Sequence, residues 1–197
     1  MDARSFFEDR YRRFGPGPKA LDWSEEGQRR RFQVLASVGD MSGWSVLDLG
    51  CGFGDLLSFL VTPFPSIAYH GVDFSRPILE EARRRHAEAS FDELDVVRDR
   101  IPGLYDVVLS SGLHNLETGT NDEDMERLLT KAWGACRIAV AVNMLSARAR
   151  SRTEGRHYYE PGRFLGLAQS LTPFVVLRHD YLPHDFTLFL YREARQW

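Results

Sequence analysis

Cysteine is scarce: only Cys51 and Cys136 occur in 197 residues. One lies between glycines and the other before an apolar run, so they make neither a disulfide framework nor a metal-ligand set. No metal is expected, and a reducing, cytoplasmic setting fits. Nowhere do about 18 apolar residues run together, and the amino-terminal MDARSFFEDRYRRF carries charge throughout. Neither a membrane span nor a signal peptide is expected. Internal repeats and low-complexity tracts are absent too. Neither sign of charge dominates, with 25 Lys and Arg against 28 Asp and Glu and a net charge of -3. No global field therefore draws the chain to nucleic acid or an anionic membrane. The arginine runs at 29–31, 83–85 and 148–152 read as solvated faces.

What is present is an ordinary globular composition, 43% hydrophobic and 27% charged, in a chain long enough for one sizeable core but short for two. A single domain over 1–197 is expected. Gly15-Pro16-Gly17-Pro18 cannot be crossed by a regular element and sets off an N-terminal arm, 1–20. A helical segment follows, 21–40, and then a core, 45–197. Ser24 is a good N-cap, with Glu25 and Glu26 in the first turn and Phe32, Leu35 and Ala36 on one face, so a helix runs to about Val38.

Beyond it, short apolar runs alternate with amphipathic stretches. Strands are expected at 46–49, 68–72, 90–94, 106–110 and 137–143, and helices at 55–61, 77–89 and 122–133. Such alternation signals right-handed crossovers and a parallel sheet. A further helix at 161–171 is followed by two β-rich runs, FVVLR (174–178) and FTLFLY (186–191). The seven residues between them, with Pro183, suit a hairpin loop and are too few for a parallel crossover. The fold class is therefore α/β, a Rossmann-like doubly wound seven-stranded sheet, mostly parallel with an antiparallel C-terminal hairpin.

The most informative stretch is VLDLGCGFGDLL, 46–57. A buried strand enters glycines at Gly50, Gly52 and Gly54, where the chain must turn sharply and its backbone must approach a ligand without Cβ atoms in the way. About twenty residues on, at the end of the second strand in YHGVDFS, stands Asp73, an acid placed to bond both hydroxyls of a ribose. Together they point to a nucleoside ligand. The spacing is G-x-G-x-G and not the G-x-G-x-x-G of dinucleotide folds, and Asp55 puts a negative charge where a pyrophosphate would lie. That disfavours a nicotinamide-dependent oxidoreductase and suits a ligand bearing a cation.

On these residues the chain resembles the class I S-adenosylmethionine-dependent methyltransferases. The likeness runs from Asp48 to Asp55, through Asp73 and Asp95, to YDVVLSSGLHN at 105–115, and includes the terminal hairpin. RRRFQVLASVG, CGFGDLL and the C-terminal hairpin sequence narrow it to a subgroup of small bacterial members of uncertain substrate. The resemblance implies S-adenosylmethionine as cofactor, bound by the first-motif residues Asp48, Gly50, Cys51, Gly52, Gly54 and Asp55, with the Gly50 to Gly54 backbone facing its methionine part. It further implies Asp73 on the ribose, Phe74 against the adenine, Asp95 and Val96 contacting the adenine, and Ser110 and Ser111, with Gly112, beneath the sulfonium. Arg31 is a candidate for the cofactor carboxylate. Asp92 lies near enough to take the role of Asp95.

Methyl transfer is an in-line displacement that needs alignment and exclusion of water. His114, after the fourth strand, is the candidate base, or else it orients substrate. His157, Tyr158 and Tyr159 either bind a planar acceptor or pack in the core, Glu117 and His184 are weaker candidates, and Trp23 and Trp44 are assigned to packing. The expected partner is a small-molecule acceptor. An RNA substrate and a non-catalytic cofactor-binding module are the alternatives, and the sequence does not fix an oligomeric state.

Overall fold

Helix starts follow the residues that can satisfy open backbone N–H groups. In the computed structural model, which describes residues 2–195, the Asp2 carboxylate accepts from Ser5 N–H at 3.1 Å and opens α1 (Ala3–Phe14). The arm, for which the sequence analysis assigned no element, is thus largely helical. Ser24 accepts from Gly27 N–H at 3.1 Å and opens α2 (Glu25–Ala36), which ends two residues before the expected Val38. The expected domain bounds, 1 and 197, fall outside the described residues.

From there β1 (Ser45–Leu49), α3 (Asp55–Leu60), β2 (Ala68–Asp73), α4 (Arg76–Arg85), β3 (Ser90–Glu93), β4 (Tyr105–Ser111), α5 (Asn121–Ala135), β5 (Cys136–Leu145), α6 (Pro161–Leu171), β6 (Val175–Leu182) and β7 (Asp185–Tyr191) follow in the expected order. Helix α4 stops at Arg85, four residues short of expectation, with His86 outside helical geometry (φ -132°, ψ 65°). The sheet order is β3-β2-β1-β4-β5-β7-β6, parallel from β3 to β5 and antiparallel at β5/β7 and β7/β6. The expected hairpin loop is mostly strand. β6 continues to Leu182, which pairs with Asp185 after a break in register following Arg178, because a bulge absorbs the extra residues without ending the ladder.

Alternation along the strands feeds two cores, one on each face of the sheet. Leu47, Leu49, Val108, Val140 and Leu188 pack with Met125, Leu128 and Phe164 of α5 and α6. Val46, Val107, Leu109, Ala141 and Phe189 pack with Phe32, Leu35, Leu57 and Leu79 of α2, α3 and α4. A third, smaller cluster joins Ala20, Phe53 and Ile78 to Phe7 and Tyr11 of α1. The arm is therefore held over the C-terminal edge of the sheet. Three polar ties add to it: Arg4 to Glu93 at 3.1 Å, Ser75 Oγ to Glu8 at 3.1 Å and Arg85 to the Pro16 carbonyl at 3.0 Å. No helix among the described residues is long and apolar enough to cross a membrane.

Candidate functional site

Between β1 and β4 the strand order reverses, and ligands of open α/β sheets lie in the crevice beyond the strand ends at such a switch point. Here the crevice holds a cavity of about 100 Å³. Its floor is the loop Gly50, Cys51 and Gly52, its sides are Asp48, Asp55, Asp73 and Phe74 against Ser111, His114 and Asn115, and its roof is Ala3 and Phe7 of α1 with Leu21 and Trp23. Gly50, Gly52 and Gly54 all have φ between 54° and 77°, the left-handed region that glycine enters without steric cost. Leu113 and Leu21 lie so close over Gly50 and Gly52 that a Cβ there would meet their Cδ1 atoms at 2.6 and 2.8 Å.

Three carboxylates surround this loop. Asp48, 2% exposed, accepts from Tyr69 OH at 2.6 Å. Burial pushes its pKa up to about 7, with Asp73 and Asp55 adding to the rise. Asp73 accepts from Gly52 N–H at 3.1 Å and Ser75 N–H at 2.9 Å, and burial raises it despite those bonds. Asp55 accepts from Gln28 at 3.1 Å and pairs with Arg85 at 3.2 Å. Arg31 is 3% exposed, pairs with the fully buried Asp185 at 2.8 Å and lies 4.0 Å over the Trp23 ring. Its Nε and Nη1 have no partner.

The loop after β4 is fixed from below. Asn121 donates to the carbonyls of His114 (2.8 Å) and Leu116 (2.7 Å), and Tyr159 OH donates to that of His114 at 2.7 Å. So held, His114 takes φ 59°, unusual for a residue with a Cβ. Its buried Nε2 is unpartnered, and burial lowers its pKa below 6.5. Beside it Asn115, 7% exposed, leaves both Nδ2 and Oδ1 without partners.

Of the residues singled out from sequence, Arg31, Asp48, Gly50, Cys51, Gly52, Asp55, Asp73, Phe74, Ser111 and His114 line the cavity. Gly54 turns the other way, toward His86 and Phe91. Ser110 is fully buried and donates to the Leu49 carbonyl at 3.0 Å. Asp95 and Val96 are not brought to the cavity. The Asp95 carboxylate folds back onto Val97 N–H (3.0 Å) and Arg98 N–H (3.2 Å), and Val96 packs in the α5-side core. Tyr159 is core, fully buried against Phe164, and His157 bridges Glu117 and Asp122 at 3.0 and 2.8 Å. Trp23, assigned to packing, instead lines the cavity, as do Phe7, Leu21 and Asn115. A Cβ at Gly112 would sit 2.2 Å from the Trp23 ring, and this Trp–Gly proximity has no signature in local sequence.

Residues 47–138 match the family model described as a methyltransferase domain. The chain is 38% identical over 74 residues to the ubiquinone/menaquinone biosynthesis C-methyltransferase of Desulfotalea psychrophila, which is 38% of this chain and 30% of that protein. It is 38% identical over 76 residues to the trans-aconitate 2-methyltransferase of Methylobacterium nodulans, which is 39% of this chain and again 30% of the relative. The matches thus span less than a third of these relatives' length. The magnesium protoporphyrin IX methyltransferase of Synechocystis PCC 6803, solved with bound S-adenosylmethionine, superposes with a TM-score of 0.71 at 17% identity, covering 96% of this chain and 95% of that one. This chain therefore resembles methyltransferases in sequence over residues 47–138 and in fold over 96% of its length, and the fold relative holds S-adenosylmethionine. This chain's cavity residues fit such a ligand chemically, since three carboxylates and the Phe74 ring surround a glycine floor and donors on Arg31 stay open for a carboxylate.

Proposed function

We propose that residues 1–197 act as one methyltransferase domain that transfers the methyl group of S-adenosylmethionine to a small molecule. The observation that carries this is the set of Asp48, Asp55 and Asp73 around a glycine loop at the sheet's switch point. In this reading Asp73 holds the ribose hydroxyls and Phe74 lies against the adenine. Gly50, Cys51 and Gly52 face the methionine part, Arg31 donates to its carboxylate through the nitrogens that Asp185 does not use, and Ser111 and Gly112 lie beneath the sulfonium. Asp95 and Val96, off the cavity, are given no contact.

When bound, the cofactor supplies an electrophilic methyl group on a sulfonium. The protein's part is to align the acceptor and keep water out. Phe7, Leu21 and Trp23 do the second by closing the roof. His114 takes the acceptor's proton at Nε2, because burial keeps the ring neutral near pH 7. A positioned base contributes roughly 10²- to 10⁴-fold. The names of the two sequence relatives, one a quinone-pathway enzyme and one acting on trans-aconitate, support a small-molecule acceptor. The test is release of S-adenosylhomocysteine when the protein is given S-adenosylmethionine and a panel of small acids, phenols and amines. Release with no panel member but with bulk RNA would replace this reading by RNA methylation.

A further inference from the structure

Beside the first cavity, on the far side of Leu21, Trp23, Gly112 and Asn115, opens a second and larger cleft of about 660 Å³. Its walls combine apolar and aromatic surface from Leu145, Tyr158, Tyr181 and Pro183 with the guanidinium of Arg156. The residues between the two cavities line both, so a molecule in the cleft lies against the site described above.

The charges around Arg156 do not balance. Arg156 and Arg10 both pair with the single carboxylate of Asp22, Arg10 at 2.9 Å. All three are mostly buried, with side chains 14%, 25% and 32% exposed. Burial first, and the neighbouring Arg10 second, push the Arg156 pKa down. A guanidinium shielded from water with half a counter-charge calls for an anion. Asn115 adds a second demand. Its amide is 7% exposed with neither Nδ2 nor Oδ1 partnered, whereas buried polar groups are as a rule hydrogen-bonded. Its main-chain carbonyl accepts from His157 N–H at 3.0 Å, and Asn121 holds the carbonyls on either side, so the backbone that carries the amide is fixed. Acidic neighbours are accounted for: Glu26 pairs with Arg30 at 3.0 Å on the exposed rim.

We propose that this cleft is the acceptor site and takes a small carboxylate on a flat apolar body, its carboxylate against Arg156 and a second polar group against the Asn115 amide. This rests on the methyltransferase reading above. Arg156 anchors the acceptor from one end, and Asn115, adjacent in sequence to His114, positions the reacting end next to the proposed base. The aromatic wall of Tyr158 and Tyr181 supplies the apolar contact that a carboxylate alone would lack.

The test uses the full chain saturated with S-adenosylhomocysteine and titrates benzoate, salicylate, cinnamate and trans-aconitate, each beside its carboxamide. At least one carboxylate is expected to bind about tenfold or more tightly than its amide, and Arg156→Met to remove that preference while leaving S-adenosylhomocysteine binding unchanged. Arg156→Lys, which keeps the charge, should restore part of it, and Asn115→Asp should weaken every carboxylate by placing a like charge beside it. Equal binding of acids and amides, or a preference that survives Arg156→Met in a protein that still binds S-adenosylhomocysteine, would overturn the proposal. Failure of the parent to bind S-adenosylhomocysteine would instead count against the methyltransferase reading, and the same titrations without it would still decide whether the cleft takes carboxylates.

Discussion

Replacing Asp48 by asparagine should make the protein more stable at pH 8 and flatten its response to pH. Asp48 lies beneath the glycine loop with Tyr69 OH as its hydrogen-bonding partner and Asp73 and Asp55 nearby. Raising its pKa from the usual 3.8 to about 7 means that the folded protein keeps a proton the unfolded chain has released. Stability therefore falls as pH rises between those values and levels off above the upper one. The full penalty is about 4 kcal/mol, of which about 3 kcal/mol falls between pH 5 and pH 8. The amide introduced by Asp48→Asn has no charge to bury. It can still accept from Tyr69, while a new amide N–H without a partner costs about 1–3 kcal/mol. Urea unfolding of parent and variant at pH 5 and pH 8 measures the difference directly. The variant's stability relative to the parent should improve by about 3 kcal/mol between the two pH values. An unchanged gap would refute the buried-acid argument. The same substitution removes one of three carboxylates facing the ligand, so preference for cationic S-adenosylmethionine over neutral S-adenosylhomocysteine should narrow.

Asp73→Ala should cost about 1.5–3 kcal/mol of cofactor binding, or roughly ten- to a hundredfold, and calorimetry on a variant with parental circular dichroism checks it. His114→Ala should leave cofactor affinity nearly unchanged and lower turnover about 10²-fold or more. In the parent, turnover should rise with pH through a pKa below 6.5 and then level, since only the unprotonated ring accepts a proton, and a pH–rate profile of both proteins shows whether that limb belongs to His114. Arg31→Met leaves the buried Asp185 charge uncompensated and should cost about 3–5 kcal/mol of stability. Adding Asp185→Asn should recover part of it in a denaturation experiment, whereas additive losses would contradict the pairing.

Legibility in the sequence tracked how local the cause was. The strands β1, β4 and β5 are continuous apolar runs bounded by turn residues, and their burial on both faces follows from that alone. The glycine loop and Asp73 were legible because strand ends of a doubly wound sheet converge on one edge. Helix α1 was missed because its Phe6, Phe7 and Tyr11 are only half-buried among charges, so no clean apolar stripe stands out. Its signals were Asp2 as N-cap and Gly15 as stop. Trp23, Leu21 and Asn115 could not be placed at a cavity from sequence, since their position depends on α1, α2 and the loop after β4 meeting in space. Asp95 shows the converse: its position in the chain matches the family pattern, yet its carboxylate is taken up by local backbone N–H groups.

The most direct test of the central claim is calorimetric titration of the purified chain with S-adenosylmethionine, S-adenosylhomocysteine and NAD. Micromolar binding of the two adenosyl ligands with none of NAD is the expected result. Folded protein that binds neither adenosyl ligand, or prefers NAD, would contradict it.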